Sequence, residues 1–216
     1  MIKYIVGVVV IVVLVVGGYY VFKGKGSSPA TTTTTTTVEQ PATATYATST
    51  FSITYPVGYT VDDSYQYTQV NPKKPISGVK FTIPGAMATG TNLSADSYIS
   101  VETLPHAKNC TGDIYLAANV HPTTLTTAST TYSVASSTDA AAGNRYEESV
   151  YAITGSSPCT AVRYYIHYGA IENYPAAGQP GAVTEFDHAA LIAAFDKIRD
   201  SLVLGVPAAP AATSTQ

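Results

Sequence analysis

Two cysteines, Cys110 and Cys159, are the first residues in this chain whose type and spacing suggest chemistry, and there are no others. Outside the cytosol two cysteines usually pair. Closing a loop of this length is worth roughly 4 kcal/mol on the chain-entropy account. Such a disulfide ties the segment before Asp113 to the strand that begins at Thr160. A metal centre is the competing use: His106, Cys110 and Asp113 are spaced four and three apart and would share one helix face. Pro105 and Gly112 argue for a loop there instead. Nucleophilic catalysis has little to build on. There is no Gly-x-Ser-x-Gly elbow, and Ser77-Gly78-Val79-Lys80 has the Ser-x-x-Lys spacing but runs into a strand rather than opening a helix. His106, His121, His167 and His188 form neither His-x-His nor His-Glu-x-x-His. Asp62-Asp63 and Glu147-Glu148 are sequence neighbours, and neighbours on a strand point to opposite faces, so neither pair converges. No catalytic residue, metal ligand or cofactor is assigned.

Binding is what remains. On the segment 160–168, Arg163, Tyr165 and His167 share a face, and they are the candidate ligand-binding residues; the alternative is the solvated side of a half-covered sheet. Tyr146, Tyr151, Tyr164, Tyr165, Tyr168 and Tyr174 gather in the second half of a chain with no Trp. Tyrosine offers apolar area with a hydrogen-bonding tip, which suits sugars or peptides and suits core packing equally. Asn92-Leu93-Ser94 and Asn109-Cys110-Thr111 match the glycosylation sequon, a frequent chance match.

The elements that must carry these residues are mostly strands. Phe51–Tyr55, Val79–Ile83, Tyr98–Thr103, Tyr132–Ala135, Arg145–Thr154 and Thr160–Tyr168 alternate or are rich in β-formers, with a turn over 139–144 and a shorter strand at 67–70. Residues 113–120 read as a short helix, and 169–181 as a long loop crowded with Gly, Asn and Pro. Thr184–Leu204 reads as a long helix: Leu191, Phe195, Ile198 and Leu202 form one apolar stripe, Thr184 with Asp187 resembles a capping box, and Gly205 and Pro207 end it. The expected fold class is α+β, an antiparallel sheet with the long C-terminal helix packed on it, preceded by one transmembrane helix.

That last element comes from residues 4–22, an apolar run of 19 residues with no charge. At ~1.5 Å per residue it reaches across a hydrocarbon core. Tyr4, Tyr19, Tyr20 and Phe22 mark its ends, where amphipathic rings favour the interface. A cleaved signal peptide with a cut near Gly17-Gly18 is the alternative. The organisation is then an anchor (1–25), a disordered Thr/Pro-rich stalk (26–49), a globular domain (50–206) and a disordered tail (207–216). The whole chain has 11 Lys+Arg against 14 Asp+Glu, and charged residues are 12 % of it. A nucleic-acid reader carries a basic patch, so that class is disfavoured. An acidic, Thr-rich chain with an even cysteine count suits the outside of a cell, with the N-terminus cytoplasmic, the lipid bilayer as partner of residues 4–22, and an envelope protein or glycan as a further partner.

The opening strand Phe51-Ser-Ile-Thr-Tyr-Pro56 and the closing pattern Phe195-x-x-Ile198-x-x-Ser201-Leu202 resemble the PsbP-like α/β/α sandwich domains of exported or membrane-tethered bacterial proteins. The resemblance covers the two ends of the domain; Tyr59 stands where that family usually has Trp. It implies a fold and an exported location and carries no functional residues over. The expected function is a non-enzymatic binding or assembly module at the cell envelope. The alternatives are an extracytoplasmic hydrolase or small-ligand enzyme, with the loop 169–181 lying over the Arg163/His167 face, and a structural or adhesive surface protein.

Overall fold

A computed structural model describes residues 42–205. Eleven strands make two sheets. The larger holds β3 (Thr60–Asp62), β5 (Ile76–Thr82), β6 (Tyr98–Leu104), β10 (Cys159–Gly169), β9 (Asn144–Ile153), β8 (Thr131–Ala141) and β7 (Thr123–Thr126) in that spatial order, with β4 (Gln66–Tyr67) pairing β5. The smaller runs β1 (Thr43–Ala47), β2 (Phe51–Pro56), β11 (Val203–Leu204). Every strand pairing is antiparallel. Helix is scarce among the described residues: a single turn, α1 (Gly85–Ala88), and α2 (His188–Asp200), besides two 3-10 turns.

The expected fold class is corrected accordingly. The fold is predominantly antiparallel β, and its closing helix is 13 residues rather than the long element read over 184–204. Both ends are set by contacts with residues distant in sequence. Thr184 bonds with its backbone to Gly90 and Asn92, so it stays extended; the cap is Asp187, whose side chain accepts from the Ala190 amide at 2.9 Å. At the other end the Ser201 hydroxyl accepts from Thr54 N at 2.9 Å, and the chain turns outward to lay Val203 and Leu204 against β2. No helix among the described residues is long and apolar enough to cross a membrane. The run 4–22, most of the stalk and the tail lie outside the described residues. The stretch 26–49 is shortened at its end, because Thr43–Ala47 pairs in register with β2 and Tyr46 packs edge-on to Phe81 at 5.9 Å.

One face of the large sheet carries Phe81, Ile99, Val101, Val162, Tyr164 and Ile166, and these pack on Ile53 of β2 and on Leu191, Phe195 and Ile198 of α2. The apolar stripe read from the helix is thus the one that is buried. On the opposite face the segment between β6 and β7 packs Tyr115 and Leu116 against Ala135, Val150, Ala152 and Ala161. Residues 113–120, read as a helix, form a 3-10 turn at Gly112–Tyr115 and then extend. A Cβ on Gly112 would lie 2.7 Å from Ala135 N and 2.9 Å from Ser133 O, so only glycine lets that turn touch β8. The Cys110–Cys159 disulfide fastens the same segment to β10. The β8–β9 hairpin turns on Ala142 and Gly143, both with positive φ, the two-residue turn that matches strand twist.

Candidate ligand-binding site

Register alone arranges the half-open face. Side chains alternate along each strand, so residues paired across neighbouring strands form rows. One row runs Lys80, Ser100, Arg163, Val150, Ala135. The next, further from the covering segment, runs Tyr98, Tyr165, Glu148, Ser137, and the one after it His167, Tyr146, Asp139.

Arg163 is fully enclosed. It grips the equally enclosed Glu102 in a fork, with Nε to Oε1 and an amino nitrogen to Oε2 both at 2.8 Å. The same amino nitrogen donates to Tyr115 O at 2.8 Å, and the other donates to Glu148 Oε2. The guanidinium carbon lies 3.5 Å from the Tyr67 ring centroid. Ser100 donates to Glu102, and the Tyr67 hydroxyl donates to Glu148 at 2.7 Å. Burial works against the Arg163 charge, but Glu102 and then Glu148 outweigh it and hold the group protonated above its ordinary range. Burial likewise raises the Tyr67 hydroxyl, Glu148 adding to it against Arg163, so Tyr67 stays a donor. Such a network is sound because every charge in it has a hydrogen-bonded partner.

Arg163 is therefore closed off from solvent, with its guanidinium holding Glu148. Tyr165 stacks on Tyr98 at 4.9 Å and lies 6.3 Å from Tyr146 at a tilt. His167 stacks on Tyr146 at 4.6 Å and bonds Asp96 through Nδ1 at 2.8 Å, while its Nε2 is enclosed without a partner. Of the three candidates on β10, Tyr165 alone lines the principal hollow of this face, a cavity of about 630 Å³ that also takes Tyr67, Tyr146, Glu148, Asp139 and Gln69 into its wall. A smaller hollow of about 290 Å³ adjoins it across Tyr165, between Tyr98, Lys80 and Asp96.

The tyrosines make stability sensitive to alkali. Burial, with Asp96 adding to it, pushes the Tyr165 hydroxyl up to about 12 from 10.0. Burial alone takes Tyr59 to about 12, and burial with the Glu147 hydrogen bond takes Tyr168 there too. Folded pKa values above the unfolded one mean stability that is complete below pH 10 and is lost as pH rises from there toward 12. Circular dichroism should show one cooperative loss of ellipticity over that interval. Ellipticity that is unchanged through pH 12 contradicts this.

The remaining candidates separate cleanly. Bonding to Cys159 takes Cys110 out of the His106/Cys110/Asp113 grouping. Glu147 and Glu148 do point to opposite faces: Glu147 accepts from the Tyr168 hydroxyl at 2.8 Å and meets His188 Nε2 at 2.8 Å on the helix side. Asn92 is buried, donating to Gly169 O and accepting from Phe186 N, so it is no glycan acceptor. Tyr151, Tyr164 and Tyr168 pack against the helix-side core, and Tyr146 and Tyr165 face the hollow. Glu148, weighed in the sequence only as half of an adjacent acid pair, and Asp139 and Tyr98, not singled out there as site residues, line these hollows; their shared phase on β9, β8 and β6 is the signal that points to them.

No family model, curated protein or solved structure matches this chain.

Proposed function

We propose that this chain is a non-enzymatic binding module working outside the cytoplasm, held at a membrane by residues 4–22, and that the tyrosine-walled hollow is its binding face. The observation that carries the reading is the hollow itself: about 630 Å³, within the range of small-ligand sites, with a carboxylate anchored in its wall. Tyr65 spends its hydroxyl on Tyr98 and Tyr67 on Glu148, whereas those of Tyr146 and Tyr165 have no partner among the described residues. A preformed pocket whose donors face inward loses little order when a ligand arrives. The disulfide supports an oxidising compartment.

The hydrolase reading needed the loop 169–181 over Arg163 and His167. No residue of 169–181 walls the hollow, whose β8 and β9 side is Ser137, Thr138, Asp139, Ala141, Tyr146 and Glu148, and Arg163 is enclosed, so nothing in the geometry favours that reading.

The test is a titration of the full-length chain, in a non-ionic detergent, with defined oligosaccharides, short peptides and organic ions. We expect at least one class to bind, and Tyr146→Ala with Tyr165→Ala to weaken it by about 1–3 kcal/mol in protein that still unfolds cooperatively. Binding that ignores both substitutions, or no binding by any class, contradicts the proposal.

A further inference from the structure

The charge around the hollow narrows the ligand. Glu102 and Glu148 share the single guanidinium of Arg163, so the enclosed trio keeps an excess negative charge. Glu148 is the member that carries it to the surface: its side chain is 17 % exposed, against 0 % for Glu102 and Arg163. Asp139 stands in the same wall, and no Lys, Arg or His is among the described residues lining the hollow.

A separate observation is how this fold treats its tyrosine rings. The Lys80 ammonium lies 5.2 Å from the Tyr65 centroid and 5.8 Å from that of Tyr98. Arg163 covers Tyr67 at 3.5 Å and Arg199 covers Tyr151 at 4.5 Å. Tyr146 and Tyr165, flanking Glu148, have no Lys or Arg over them among the described residues, and their centroids stand 6.3 Å apart, looser than the Tyr98–Tyr165 stack at 4.9 Å. Ring faces attract cations, most strongly where water is excluded. An anion entering here would meet two carboxylates. A neutral sugar would bring no charge to the two carboxylates, Glu148 and Asp139, in the wall.

We infer that the hollow takes an alkylammonium group, its charge against Glu148 and Asp139 and its alkyl surface against the Tyr146 and Tyr165 rings. The inference rests on the binding reading above and names the ligand class of the same site.

Full-length protein titrated with choline and with dimethylbutanol, its neutral isostere, tests it by calorimetry and ligand-observed NMR. Choline should bind about tenfold tighter, and Asp139→Asn and Tyr146→Leu should each weaken it several-fold while leaving the melting temperature in place. Equal affinity for the two compounds, or choline binding indifferent to both substitutions, overturns the inference. If choline fails while an oligosaccharide or peptide binds in a manner dependent on Tyr146 and Tyr165, the ammonium class falls and the binding reading stands. If nothing binds, both fall.

Discussion

Arg163→Met should lower the unfolding free energy by about 3–5 kcal/mol. The substitution strands Glu102, whose carboxylate is fully enclosed and would keep Ser100 as its side-chain donor. It also removes the donor that holds Glu148 from below. An unpaired buried charge is far more costly than a missing pair, because the desolvation penalty stays while the attraction goes. The double variant Glu102→Met with Arg163→Met should therefore regain most of the loss, since Glu148 keeps Tyr67. Denaturant titration of the three proteins measures both effects. A single variant within about 1 kcal/mol of the parent would mean that the trio is hydrated and that Arg163 does not set Glu148.

Cys110→Ser with Cys159→Ser should cost about 4 kcal/mol, because the bridge closes a separation of 49 residues and the unbridged chain regains that freedom when unfolded. The loss should also be local in its consequence. The bridge pins the segment that carries Tyr115 and Leu116 over Ala161, so its amides should exchange first. Native protein alkylated without reduction should carry no label at either position. Two labelled thiols in the native state would contradict the bridge and the oxidising compartment together, and a variant as stable as the parent would contradict its stabilising contribution.

The strands were legible because period-two alternation is a local property: β2, β6 and β10 are found within a residue or two of where their sequences place them. Which face of β10 is wet was not. Arg163 reads as solvated in isolation, and it is enclosed because β6 and β9 place Glu102 and Glu148 in reach of the same phase, a fact of strand order rather than of any one strand. Helix ends failed similarly, since Thr184 is drawn away by residues 90–92 and Ser201 by Thr54, both distant in sequence. β1 was hidden in a Thr/Ala stretch whose one large apolar residue, Tyr46, needs Phe51 and Phe81 to anchor it. The tyrosine cluster was visible as composition, but its division between core and hollow follows from the alternation of β9 and β10 once the helix side is known.

Tyrosine resonances report directly whether ligand lands in the hollow. In full-length protein carrying labelled tyrosine, a saturating binder should shift the ring signals of Tyr146 and Tyr165 and leave those of Tyr151 and Tyr164, on the helix side of the sheet, in place. Shifts that centre on Tyr151 and Tyr164, or a binder that moves no tyrosine at all, would contradict the hollow as the binding face.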